Sequence, residues 1–227
     1  MKQINLWRVT KEDDGRTMAV PINAVGITKS KHELEEILVT TPELLMPGLT
    51  LVGRQTPTEG GPLDLLGVTE DGRLVVFELR RGTLTREAIA QVVDYASFLH
   101  ELDYEQLCKH IEDRSGTGGV LAIDDFDSWY CEQFSSDSKA LSGSPAIVLV
   151  GLGVDDRARG TVEFLSAGGI DISLLTFHAF EMDGQTLLAM QTEVAAQQER
   201  TTKQQRYTIE SCAANARVPA AACMPLP

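Results

Sequence analysis

The stretch spanning residues 60–99 constrains the fold most. Residues 62–68 and 73–80 are two apolar-rich runs separated by Glu70-Asp71-Gly72. A glycine at the third loop position suits a three-residue hairpin, a type I turn followed by a left-handed residue. Such a loop sets Thr69 opposite Arg73 and Asp64 opposite Glu78, whereas a two-residue loop would set Asp64 opposite Leu79 and send the two acids to opposite faces. In the three-residue register one face carries Leu63, Leu65, Val75, Phe77 and Leu79. The other carries Leu66, Val68, Leu74 and Val76, then Asp64, Glu78 and Arg80 at one end. Both faces are largely apolar, so the hairpin is expected to be central and covered on both sides. Two carboxylates at its end are the anomaly, because buried acids side by side repel and lose hydration unless a cation or a proton neutralises them.

The flanking text supplies the rest of an α/β chain. Ile4, Leu6 and Arg8 alternate with Asn5 and Trp7, Asp13-Asp14-Gly15 offers a turn, and residues 17–22 read as a return strand, giving an N-terminal hairpin over 1–22. Ser30-Lys31-His32-Glu33 fits a capping box, Leu34, Ile37 and Leu38 follow at helical spacing, and Pro42 and Pro47-Gly48 close that segment. Residues 49–52 read as a short strand. A helix is predicted from Thr85, with Ile89, Val92, Val93, Ala96 and Leu99 on its buried stripe and Gln91 and Tyr95 projecting together. Further helices are predicted over 103–113 and 124–134. A strand over 146–150, a helix over 155–166 and a hairpin of 170–180 with 185–190 around Asp183-Gly184 complete the pattern. One domain over 1–194 is expected, with a core over 30–113 and a strand–helix–strand extension over 145–190. The tail over 195–227 is rich in Ala and Pro near its end and is expected to be disordered.

Composition narrows the function classes. A formal net charge of −13 denies the 227-residue chain a global basic surface, so contact with nucleic acid would need a local basic cluster or bound divalent cations. No apolar run approaches the length of a membrane span, and residues 1–10 do not read as a signal peptide, so no membrane partner and a cytoplasmic location are expected. Cys108, Cys131, Cys212 and Cys223 form no C-x-x-C pair and read as reduced packing residues. Ala146-Ile147-Val148-Leu149-Val150-Gly151-Leu152-Gly153 begins like a dinucleotide fingerprint, but Asp156 stands at the third glycine position and would repel pyrophosphate. The four histidines lack metal-ligand spacing, and Asp124-Asp125-Phe126-Asp127 reads as a helix N-terminal acid cluster.

Three passages carry a family resemblance: Gly61-Pro62-Leu63-Asp64-Leu65-Leu66-Gly67, Leu74-Val75-Val76-Phe77-Glu78-Leu79, and Gln91-Val92-Val93-Asp94-Tyr95-Ala96. Together they resemble the PD-(D/E)XK nuclease superfamily, and within it the Q-x-x-x-Y branch of RecB-type nuclease domains and NucS-like endonucleases. Leu34-Glu35-Glu36-Ile37-Leu38 is similar to the acidic first helix of that branch. The resemblance, over about residues 4–190, implies a restriction-endonuclease-like α/β fold with a central mixed sheet flanked by helices. It implies hydrolysis of DNA phosphodiester bonds, endonucleolytic and dependent on Mg2+ or Mn2+, with RNA left open as a substrate. Asp64 and Glu78 would be metal ligands, joined by the Leu79 carbonyl and by Glu35, or by Glu33 or Glu36 if the helix is rotated. Gln91 and Tyr95 would orient the site, and Arg54, Arg81 and Arg86 with Arg80 would form the basic cluster. The family pattern has Lys two residues after the second acid, where this chain has Arg80, a planar cation that can neutralise Glu78 or clamp a phosphate but is a poor general base. The alternative is therefore a catalytically degenerate relative that binds nucleic acid or a protein partner. A homodimer is compatible with cutting two strands, although no residue argues for one.

Overall fold

The computed structural model describes residues 4–11, 17–25, 31–58, 61–134, 141 and 144–196. The inner hairpin is β4 (Gly61–Val68) and β5 (Leu74–Leu84). Its pairs run Leu65↔Phe77, Leu66↔Val76, Gly67↔Val75 and Val68↔Leu74, the three-residue-loop register. The turn is closed by Thr69 N–H on the Arg73 carbonyl (2.8 Å) and Gly72 N–H on the Thr69 carbonyl (2.8 Å). Gly72 has φ 79°, the left-handed position that the loop type demands.

Around this hairpin the sheet grows on both sides. β3 (Thr50–Thr58) pairs antiparallel with β4 and forms one edge, while β6 (Ala146–Val154) pairs parallel with β5. β7 (Ile172–Met182) lies parallel to β6, and β8 (Gln185–Val194) folds back along it through Asp183-Gly184, both with positive φ. β1 (Leu6–Lys11) and β2 (Thr17–Val25) form the expected N-terminal hairpin, and β2 joins the sheet through Asn23–Val25 against residues 179–181 of β7. The order is β1-β2-β7-β6-β5-β4-β3, with β8 also on β7. This is a central mixed α/β sheet flanked by helices, as the sequence implies.

Each face of the sheet has its own apolar layer. Leu66, Val68, Leu74, Val76, Ile147 and Leu149 pack with α2 (Arg86–Glu101), α3 (Tyr104–Glu112), α4 (Phe126–Phe134) and α5 (Asp156–Ala167). Leu65, Val75, Phe77, Leu79, Val148 and Val150 pack with Leu34 and Leu38 of α1 (Lys31–Thr40). Fully buried Leu, Val and Phe side chains on both faces contribute about 1.5–3 kcal/mol each, which makes the hairpin the centre of the fold. Helix starts follow capping chemistry. Asp103 forms a capping box with Gln106, Asp155 accepts from Ala158 N–H, and Asp125 accepts from Ser128 N–H. Asp155 thus occupies the helix terminus that a dinucleotide phosphate would need.

Several expectations shift. β5 continues past Arg80 to Leu84, because after an irregularity between Arg80 and Thr83 the parallel ladder resumes at Thr83↔Gly153 and Leu84↔Val154. β3 runs to Thr58 rather than ending at Val52; its second half is polar and contains Pro57, which only an edge strand tolerates. Leu63, expected on the face of Leu65, joins the opposite layer with Leu66, Val76 and Tyr95. The β4–β5 ladder stops at Leu65↔Phe77, and strict alternation is lost at Asp64. The expected cap Ser30, the turn Asp13-Asp14-Gly15 and the tail from 197 onward lie outside the described residues.

Candidate nuclease site

Asp64 and Glu78 are 2% and 1% exposed at the end of an apolar hairpin, so both acids are inside the protein rather than on a solvated rim. Ionised carboxylates there cost several kcal/mol unless hydrogen bonds and cations compensate. Asp64 Oδ2 accepts the Leu79 N–H at 2.8 Å. That amide follows the last β4–β5 pair, so the carboxylate takes a ladder donor that a backbone carbonyl would otherwise receive. Asp64 Oδ1 accepts from the Gln55 amide at 3.0 Å. Glu78 Oε1 lies 2.8 Å from Arg80 Nη2.

α2 carries the network outward from β5. Arg80 Nη2 donates to Gln91 Oε1, and Gln91 Nε2 donates to the Tyr95 hydroxyl. One helical turn separates Gln91 from Tyr95, so the two share a helix face. Tyr95 is fully buried, and Gly61, with φ 119°, passes over its hydroxyl; a Cβ there would lie 3.7 Å from that oxygen. Burial raises the Tyr95 pKa, and the charges of Glu78 and Asp64 raise it further, against the Gln91 hydrogen bond and Arg80. The phenol therefore stays protonated at neutral pH. Asp64, Glu78, Arg80, Gln91 and Tyr95 are thus brought together across β4, β5 and α2.

Toward α1, Glu35 is buried at 5% exposure. Arg54 of β3 donates to Glu35 Oε1 and Glu36 Oε1, both at 2.6 Å, and to the Gly118 carbonyl at 2.7 Å. Burial works against the charged guanidinium, but the hydrogen bonds and charges of Glu35 and Glu36 outweigh it and hold its pKa above the ordinary value. Gln55 donates to Glu35 Oε1 at 3.3 Å as well as to Asp64. Arg54, expected in a basic cluster, is instead turned onto the acids of α1. Arg86 is exposed at the start of α2, and the side chains of Arg81 and Glu33 lie outside the described residues.

Gln55 is the residue that sequence reasoning missed. It has φ 50°, left-handed for a non-glycine residue, at a cost of about 1–3 kcal/mol. Its only sequence signal is a polar Arg-Gln pair on what reads as a loop.

Among the described residues, no three His, Cys, Asp or Glu side chains converge as a metal cage. The donors present are hard carboxylate oxygens of Asp64 and Glu78, with the Leu79 carbonyl beside them in sequence. This set suits Mg2+, which needs only one or two protein carboxylates and retains waters. A carboxylate oxygen has two acceptor directions, so the hydrogen bonds on Asp64 do not preclude coordination.

Residues 30–112 match the family model described as the endonuclease NucS C-terminal domain. The segment is NucS-like. The chain is 32% identical over 77 residues to endonuclease NucS of Thermococcus kodakarensis, covering 34% of this chain and 31% of that protein. It is 38% identical over 78 residues to the NucS of Corynebacterium kroppenstedtii, covering 33% and 30%. The NucS of Frankia alni is 27% identical over 124 residues, covering 48% and 54%. The first two matches span about a third of those relatives' length. Among solved structures, an EndoMS–dsDNA complex aligns with TM-score 0.43 at 17% identity, covering 76% of this chain and 65% of that one. A repair endonuclease from Pyrococcus abyssi aligns at 0.41 and 18%, covering 73% and 63%. The NucS-like segment contains Glu35, Arg54, Gln55, Asp64, Glu78, Arg80, Gln91 and Tyr95; β6 to β8 lie beyond it. No helix among the described residues is long and apolar enough to cross a membrane.

Proposed function

We propose that the chain is a divalent-metal-dependent nuclease that hydrolyses DNA phosphodiester bonds endonucleolytically. The observation that carries this reading is the buried Asp64/Glu78 pair at the end of the central hairpin, tied through Arg80 to Gln91 and Tyr95. Similarity of residues 30–112 to a domain of NucS endonucleases supports it. Asp64 and Glu78 would hold Mg2+ or Mn2+, with the Leu79 carbonyl completing the protein's share. When bound, the cation supplies Lewis acidity and charge neutralisation at the phosphodiester. Arg80 offers a fixed positive fork to a non-bridging phosphate oxygen while balancing Glu78. Gln91 fixes the guanidinium from α2, and the neutral Tyr95 phenol keeps its proton for an acceptor in the site.

Asp64→Ala and Glu78→Ala are each expected to lower Mg2+-stimulated cleavage of duplex DNA by about a hundred- to a thousandfold, the range seen when a principal charge-stabilising group is removed. Circular dichroism should show the fold retained. Full cleavage by either variant would overturn the assignment.

A second reading has its own observation. Arg80 and Arg54 stand against Glu78 and Glu35 at 2.8 and 2.6 Å, so both acids have a cation without any metal. That favours a nuclease-fold protein that binds its partner and no longer cuts.

A further inference from the structure

We propose that Gln55 is a positioning residue of this site, one that sets the carboxylate of Asp64 by tying it to Glu35. The inference rests on the nuclease reading for its functional meaning and on the geometry of β3 for its substance. In a regular strand successive side chains point to opposite faces. Arg54 and Gln55 nevertheless both donate to the same oxygen, Glu35 Oε1. The left-handed backbone at Gln55, φ 50°, is what breaks the alternation, and the pairing of β3 with β4 passes from Arg54↔Leu65 to Thr56↔Leu63 with no pair at Gln55. The irregular residue therefore stands beside Asp64, where the β4–β5 ladder also ends.

The amide suits this place for a chemical reason. Its nitrogen carries two N–H donors and meets two carboxylates, Asp64 Oδ1 at 3.0 Å and Glu35 Oε1 at 3.3 Å. A neutral bridge of two donors holds the acids in register without adding charge. Asp64 is then held at both oxygens, by Gln55 on one and by the Leu79 N–H on the other. Without the amide the carboxylate loses its hold at Oδ1, and its contact with the Leu79 N–H is less well fixed. Strain retained at a residue that makes such a bridge points to a site function rather than to packing, since Gln55 is itself exposed.

Gln55→Gly is the informative variant, because glycine accepts the positive φ and removes the exposed side chain together with its amide. Hydrogen exchange in metal-free protein reads the effect directly. The Leu79 amide should exchange about tenfold faster, the scale of one lost hydrogen bond to a charged group, while the Val76 amide in the intact ladder is unchanged. Mn2+ binding by titration calorimetry should weaken by about tenfold, and Gln55→Asn, which tolerates the backbone but has a shorter reach, should not restore it. Unchanged Leu79 exchange, or equal acceleration at Leu79 and Val76, would overturn the positioning role. If the unsubstituted protein binds no Mn2+, the metal reading fails, and Leu79 exchange still decides whether Gln55 sets Asp64.

Discussion

Arg80 carries most of the chemical ambiguity of this site. Its guanidinium joins Glu78 to Gln91, a place where the related nuclease pattern has Lys. Arg80→Lys exchanges a wide fork for a compact ammonium able to release a proton. If the native protein is impaired there, Mg2+-dependent nicking of a plasmid should rise by at least about tenfold in the lysine variant, since general acid–base help contributes about a hundredfold or more where it operates. If Arg80 is a working phosphate clamp, the same substitution lowers the rate. The acids themselves are legible in the sequence, because two carboxylates at one end of an otherwise apolar hairpin stand out against their neighbours. Gln55 is not. Its importance comes from a left-handed φ on an edge strand, a property of the fold that neither residue type nor spacing announces.

At the scale of elements, the hairpin turn is locked from α4. The Tyr130 hydroxyl donates to the Gly72 carbonyl at 2.7 Å, and a Cβ on Gly72 would collide with that hydroxyl. Gly72→Ala combines a left-handed alanine with this collision and is expected to cost about 2–4 kcal/mol. Urea denaturation checks it, and a loss under about 0.5 kcal/mol would mean the turn relaxes freely. Helices and inner strands are readable because their apolar periods agree with the tertiary layers: Thr85 does precede α2, and α3 falls within the predicted 103–113. The outer half of β3 is polar and gives no strand signal of its own; its strand character comes from pairing with β4, with Pro57 tolerated on an open edge. The late part of β5 is hidden for the same kind of reason, since Thr83 and Leu84 are recruited by β6 across a local irregularity.

For the whole molecule, charge sets the terms of any encounter with DNA. With a net charge of −13 the long-range field opposes a polyanion, and Arg54, turned inward onto Glu35 and Glu36, adds nothing outside. On the proposed nuclease reading, divalent cations would serve association as well as chemistry. Fluorescence anisotropy with a labelled duplex should show no saturable binding at micromolar protein in EDTA. Binding should appear on adding millimolar Ca2+, and should be lost again in Asp64→Ala. Tight binding in EDTA would contradict this account. Sheet order is the part of the architecture least open to sequence reading, since β2 meets β7 across most of the chain, through three pairs among the described residues.

The length of the Glu70-Asp71-Gly72 loop has a consequence beyond closing the hairpin. Because the paired runs are greasy on either side, a slip by one position would still bury well, and hydrophobicity alone would hardly object. Turn size is the gauge that sets which residues of the two runs meet, and with them the end of the ladder where Asp64 takes the Leu79 amide. A single inserted or deleted residue there is expected to leave a protein that folds respectably while its candidate site no longer assembles.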